Sequence, residues 1–322
     1  MKKIFKSTLI SVLSFVSIFA MLIVFPSCKK QPSGPSEAIY ISISPSSINF
    51  GYVPLNQFKD MQVVIKNQNN STGRLTGAMS ISGAGFTLQG ATQFNLSPGE
   101  SLIVFVRFAP TSDGAFAGAL SITHNATNST SPLTVQLIGN GDATIVRISS
   151  LIQSGWQAFS NRNYNEAYAK FDSAISLART SSRYDSLQAE AECGRGWSRA
   201  YNRDFQLAKN DLLSALARQN VSQKVSIDSR AGLAFVHHAL NEFPSAIQRA
   251  LEVLNANSNY VFTYDNRVHH RRLRLVLAQS YYTLGDFQNA ARQLDIINPA
   301  GAPHSTDPTI LLRQIQEMWS RM

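Results

Sequence analysis

GWQAFSNRNYNEAYAKFDSAI, residues 155–175, returns three times without a gap, as GWSRAYNRDFQLAKNDLLSAL (196–216), AFVHHALNEFPSAIQRALEVL (234–254) and AQSYYTLGDFQNAARQLDIIN (278–298). Each copy opens on a small residue: Gly155, Gly196, Ala234 and Ala278. Nine positions on stands an aromatic (Tyr164, Phe205, Phe243, Phe287), and three further on an alanine (Ala167, Ala208, Ala246, Ala290). The apolar residues recur at helical spacing, so each copy reads as two helices. The residues between them, NRN, NRD, LNE and LGD, are turn and N-cap material, and Pro244 falls in a first helical turn, where proline is tolerated.

This pattern resembles the tetratricopeptide repeat, in which small residues let paired helices approach closely. The alanines are 41, 38 and 44 residues apart, against about 34 in the family, so helices or connections are longer here. Four repeats over residues 143–305 are predicted, then a closing helix over 306–322 whose stripe of Leu311, Ile315, Met318 and Met322 covers the last apolar face.

The resemblance implies that the first helix of each pair lines a concave, peptide-binding groove. The residues after the small ones are Trp156, Trp197, Phe235 and Gln279; three positions further lie Phe159, Ala200, His238 and Tyr282. Trp156, Trp197, Phe235, Phe159 and Tyr282 are therefore the candidate partner-binding residues. Arg272, in the basic run RVHHRRLRL (267–275), is the candidate for orienting an acidic peptide or a carboxylate. The alternatives stay open that these rings pack into the helical core and that the basic run is a solvated helix face.

Upstream the period is two. IYISISPSSINFG, MQVVIKN (61–67), MSISG (79–83), SLIVFVRFAP (101–110), GALSITHN (118–125) and LTVQLIGNG (133–141) alternate apolar and polar residues between turn-rich segments. An antiparallel β-sandwich over residues 39–142 follows, with Phe50, Phe108 and Phe116 between its sheets. INFGYV (48–53), Asn67, Phe86, LSPGES (96–101), VRFAPTSDGAFAGALSI (106–122) and LIGNG (137–141) resemble, in that order, the immunoglobulin-like domain of Hydin-type and choice-of-anchor D bacterial proteins, related to the major sperm protein fold. That resemblance implies a spacer or binding module with no catalytic residues. The Asn-Ser-Thr clusters at 69–72 and 125–131 read as plain polar loops.

The chain opens with MKKIFK, an apolar run from Thr8 to Phe25, then IVFPSCKKQPSGPSE (23–37). A basic start, an apolar stretch and a small residue before a break are the pattern of an export signal. The segment resembles a bacterial lipoprotein signal over residues 1–27, with Cys28 as the residue that carries lipid; Ser27 fits that pattern and Pro26 departs from it. An uncut membrane anchor is the alternative. Residues 28–38 are a polar tether. The expected location is the bacterial cell envelope, lipid-anchored, with the outer membrane preferred because Lys29 follows the cysteine.

The formal charge of +9 includes Lys2, Lys3 and Lys6; residues 31–142 carry 4 basic and 5 acidic side chains, and 143–322 carry 20 and 15. So diffuse an excess excludes a nucleic-acid surface. His237–His238 and His269–His270 are adjacent rather than i, i+4, so no metal site is expected, and no nucleophile, phosphate loop or dinucleotide motif is present. No cofactor, small-molecule ligand or enzymatic activity is expected. The whole reads as a multidomain chain, an all-β immunoglobulin-like sandwich before an all-α tetratricopeptide-repeat solenoid, acting as a membrane-anchored adaptor for a protein or peptide. The alternative is a carbohydrate-capturing outer-membrane lipoprotein.

Overall fold

A computed structural model describes residues 37–322. The signal segment, Cys28 and most of the tether lie outside the described residues. An N-terminal β-sandwich is followed by a helical-repeat region.

The sandwich holds β1 (Ile41–Ser44), β2 (Ser47–Pro54), β3 (Lys59–Asn67), β4 (Leu75–Ser82), β5 (Phe86–Gln89), β6 (Gln93–Leu96), β7 (Ser101–Phe108), β8 (Gly114–His124) and β9 (Leu133–Asp142). One sheet has the order β1-β3-β7-β5, the other β2-β9-β8-β4-β6. Two features differ from the sequence reading. IYISISPSSINFG is two strands, because Pro45 cannot donate to a ladder and the chain changes sheets there. β2 then runs parallel to β9, Ile48 beside Leu137, while every other pairing is antiparallel. The four-residue edge strands β5 and β6 were too short to register as alternating runs.

Apolar faces of both sheets meet around Phe50, Phe86 and Phe108, with ring centroids 4.8–5.7 Å apart, and Phe116 packs edge-on against Phe108. Buried Asn67 donates to the carbonyls of Gly73 and Leu96, tying the β3–β4 loop and the end of β6 to the end of β3. The 125–131 loop does more than cover the surface. Asn128 accepts from the Ile41 N–H and donates to its carbonyl, as a neighbouring strand would. The outward backbone groups of Ile41 on edge strand β1 are thus satisfied.

Helices follow in antiparallel pairs: α1 (Ala143–Ser160) with α2 (Tyr164–Ala178), α3 (Asp185–Tyr201) with α4 (Phe205–Ala217), α5 (Gln223–Ala239) with α6 (Phe243–Ala256), and α7 (His270–Thr283) with α8 (Phe287–Ile297). Each pair turns on one left-handed residue: Arg162 (φ 63°), Arg203 (φ 66°), Asn241 (φ 60°) and Gly285 (φ 80°). The frame alanines Ala167, Ala208, Ala246 and Ala290 are fully buried. Close packing needs glycine where the Phe171 ring lies between α1 and α3. A Cβ added at Gly155 or Gly194 would sit 2.7 or 2.3 Å from that ring. The closing helix α9 (Pro308–Ser320) buries Leu311, Ile315 and Met318 against α7 and α8, with Met322 at the edge of the cluster.

The two domains join without a linker, β9 ending at Asp142 and α1 starting at Ala143. Asp142 caps α1 by accepting from the N–H groups of Thr144 and Ile145. It also accepts from the Tyr184 hydroxyl at 2.9 Å and from Arg183 Nε at 3.1 Å, just before α3. The Arg183 guanidinium lies 4.2 Å over the ring of Tyr52 on β2. One carboxylate therefore fixes the first helix, the second repeat and the sandwich to each other.

Candidate functional site

The first helices α1, α3, α5 and α7 lie side by side and form the inner face of the solenoid. Helical spacing brings Trp156 and Phe159 of α1, Trp197 of α3 and Phe235 of α5 to that face. They do not form an open ladder. Trp156, Phe159 and Trp197 are 4%, 1% and 2% exposed, because the α6–α7 connection, residues 257–269, folds back across them. This corrects the expectation that these three rings are free for a partner. The extra length between Ala246 and Ala290 lies largely in this connection.

The connection begins Asn-Ser-Asn-Tyr-Val-Phe-Thr-Tyr from Asn257 to Tyr264, with aromatics at every second position from Tyr260. Tyr260 and Phe262 point inward, while Val261 is exposed. The connection closes on itself through a single antiparallel bridge between Val261 and His269, with the Phe262 N–H on Val268 and the His270 N–H on Tyr260. Phe262 stacks on Trp197 (4.4 Å, 21°) and meets Trp156 and Phe159 edge-on. Tyr264 stacks flat on Trp156 at 3.9 Å. Geometries of this kind contribute beyond the area they bury.

Polar contacts pin the plug at both ends. The Tyr260 hydroxyl donates to buried Asp228 at 2.9 Å; burial pushes that hydroxyl's pKa far up, and the Asp228 charge adds to it. At the tip, Asp265 accepts from the Tyr201 hydroxyl at 2.6 Å and from Arg267 Nη2 at 2.6 Å. Burial alone would raise the Asp265 pKa, but these hydrogen bonds bring it down to about 2. The plug is thus joined to the core of the second and third repeats.

Two of the clefts that remain open flank the connection on the inner face. One, about 440 Å³, lies against α1 and α3 beside the Trp156–Tyr264 stack, with Gln153, Gln157 and Glu190 at its rim. The other, about 300 Å³, lies between α3, α5 and the plug, lined by Trp197, Tyr201, Phe235 and Val268 with Arg203 and Arg272. Phe235 and Arg272 from the sequence reading meet here. Tyr282 is elsewhere: it packs at 5.4 Å on Phe287 in the separate C-terminal cluster, so the structure does not bring it to either cleft. In the run RVHHRRLRL the helix starts only at His270, because Arg267 and Val268 belong to the plug. The signal that sequence reasoning passed over was the Tyr-Val-Phe-Thr-Tyr alternation inside a helical domain. Arg203 was also missed, because it was read only as a turn residue.

No catalytic constellation accompanies the clefts. Burial drives the Cys193 thiol pKa far up, the wrong direction for a nucleophile. Burial lowers the pKa of His238, which packs on Phe243 rather than on an acidic partner. Among the described residues no three His, Cys, Asp or Glu side chains are grouped to hold a metal, and no helix is long and apolar enough to cross a membrane.

The profile of the Cep192 domain 4 family matches residues 38–142, under half of the chain. No curated protein matches the chain. Among solved structures, the PapD-like domain 7 of human CEP192 is similar over 39% of this chain and 97% of its own, at 15% identity and a TM-score of 0.29. MamA AMB-1 is similar over 55% of this chain and 91% of its own, at 14% identity and a TM-score of 0.39. WR4, a C. elegans MSP family member, is similar over 31% of this chain and 96% of its own, at 11% identity and a TM-score of 0.23.

Proposed function

We propose that the protein is a non-enzymatic interaction scaffold of the bacterial cell envelope, held to a membrane through lipid on Cys28, whose helical repeats receive a protein partner. The observation that carries the reading is the polarity of the sandwich. Ala38 enters at the Asn67 end of β3, bonded to Thr72, whereas the helices leave at the other end, where Asp113 accepts from the Ala143 N–H. A nine-residue strand separates the two ends, roughly 26 Å. A tether entering one end and a repeat domain leaving the other suit a spacer, and Asp142 bonds the end of that spacer to the first two repeats.

Carbohydrate capture finds no comparable support. The longest connection between repeat helices is the plug, and it fills the groove instead of building a sugar site.

Two outcomes test the proposal in intact cells. Labelled fatty acid should appear on the wild-type protein, not on Cys28→Ala, and Cys28→Ala should leave the membrane fraction for the soluble one. An unlabelled wild-type protein removes the lipid anchor. A photo-crosslinking residue at position 235 should capture one discrete partner, and an equivalent residue on the exposed sandwich face at Ala117 should not. No capture from position 235 removes the scaffold reading.

A further inference from the structure

The outer face of the β1-β3-β7-β5 sheet exposes more apolar surface than its strands need. Of the five large apolar side chains that the sandwich exposes, three lie together here: Phe58, Ile103 and Phe105, at 58%, 54% and 45%. Across the β3–β7 ladder, half-buried Val64 stands beside Ile103 and Gln62 beside Phe105. At one end Arg107 donates two hydrogen bonds to Asp60, both 2.8 Å, and its guanidinium covers the Phe58 ring at 3.6 Å. At the other end Lys66 stands beside Ser101, next to exposed Glu100. The second sheet exposes only Ile138, and Tyr52 beneath the Arg183 guanidinium. The repeats meet the sandwich at β2 of that second sheet, away from this face.

We infer that this face pairs with the same face of a second copy of the chain, about a two-fold axis running along the strands between β3 and β7. The β3–β7 register makes the surface complementary to itself. Such an axis lays each β3 on the other copy's β7, so Val64 meets Ile103, Gln62 meets Phe105 and Asp60 meets Arg107. Each carboxylate then faces a guanidinium on both copies, and Lys66 comes over Ser101 and Glu100. A bilayer would cover the rings but would desolvate the Asp60–Arg107 pair without adding a counter-charge. Four strands at about 4.8 Å spacing and a nine-residue β3 at about 3.3 Å per residue give roughly 500 Å² per copy. A standard interface buries about 800 Å² per partner, so this contact is weak in dilute solution. Two copies anchored in one bilayer meet at a far higher effective concentration. That step, and the choice of an axis that keeps both tethers at one end, rest on the lipid-anchor reading; the complementarity of the face does not.

The test uses the full-length acylated protein in vesicles of phosphatidylethanolamine and phosphatidylglycerol, read by disulfide formation under mild oxidation. Cys193 is buried and stays silent. Ile103→Cys, close to the axis, should form a covalent dimer about tenfold faster than Ala117→Cys on the second sheet. Adding Phe105→Glu should remove that advantage, because it places a charge in the apolar centre of the contact. Asp60→Arg and Arg107→Asp, each carried with Ile103→Cys, should each slow the reaction by gathering like charges across the axis. Mixing these two proteins should restore it, since four arginines then become two facing two aspartates. The Asp60–Arg107 pair is partly exposed and contributes little to stability, so both charge variants should melt near the wild-type temperature. Three results would each overturn the inference: Ile103→Cys linking no faster than Ala117→Cys, a mixture linking no faster than either charge variant alone, or a thiol at position 103 that is shielded from a water-soluble maleimide yet gives no dimer. The last would put lipid or another protein on this face. The crosslink from position 235 tests the scaffold reading separately.

Discussion

Phe262→Ala should destabilise the repeat domain by about 3–5 kcal/mol, the range for deleting a large ring from a well-packed core. Phe262 is wholly buried and touches Trp156, Phe159, Trp197 and Tyr264. Its removal leaves a cavity between the rings of the first and second repeats. The loss should be read by urea unfolding followed by far-UV circular dichroism, where the midpoint falls with little change in slope. Tryptophan emission should report the same event, because Trp156 and Trp197 become accessible to acrylamide. A loss under about 1 kcal/mol would mean that the 257–269 connection merely lies over the helices.

That connection also marks the limit of what the sequence carried. Repeat boundaries were legible because each pair of helices buries the same small and aromatic residues in the same order. Trp156 and Trp197 were correctly placed on the inner helices by that register. Whether the inner face was open depended on a contact between Phe262 and residues about 65 and 106 positions earlier in the chain. No local period encodes such a contact. Aromatics at every second position of Tyr-Val-Phe-Thr-Tyr between two helices were the available hint, because three large rings on one side of an extended segment must be buried against something. In the sandwich the strands with long alternating runs were legible. The parallel β2–β9 pairing was not, since alternation tells which face is buried and not which neighbour runs alongside. Of the residues lining the second cleft, Trp197, Phe235 and Arg272 carried a sequence signal, the helical register for the two rings and the basic run for the arginine. Val268 and Arg203 did not, because Val268 arrives with the plug and Arg203 through a turn.

Asp142→Ala should cost the repeat domain about 2–4 kcal/mol. Loss of an N-cap accounts for about 1 kcal/mol, and the rest comes from leaving the nearly inaccessible Tyr184 hydroxyl with one partner fewer. Asp142→Asn should cost less, because asparagine still caps a helix while the charge facing Arg183 is lost. Scanning calorimetry separates the effects: the transition of the repeats should move down by several degrees in Asp142→Ala, and that of the sandwich much less. Small-angle scattering should show a broader distribution of maximum dimension as the junction loosens. A variant with an unchanged repeat transition and unchanged scattering would show that the short β9–α1 connection alone sets the domain angle.

The central claim is that the inner face is covered over repeats one and two by the chain's own α6–α7 connection, which buries Trp156, Phe159 and Trp197 and leaves open clefts beside it. Native-state hydrogen exchange on the full chain tests this most directly. The Phe262, Val268 and His270 amides are hydrogen-bonded within the connection and its junction with α7. They should exchange as slowly as the central amides of α3 and α5, opening only when the repeats do. Exchange as fast as that of the exposed Asn69–Asn70 loop would contradict the account, and would return Trp156, Phe159 and Trp197 to an open groove.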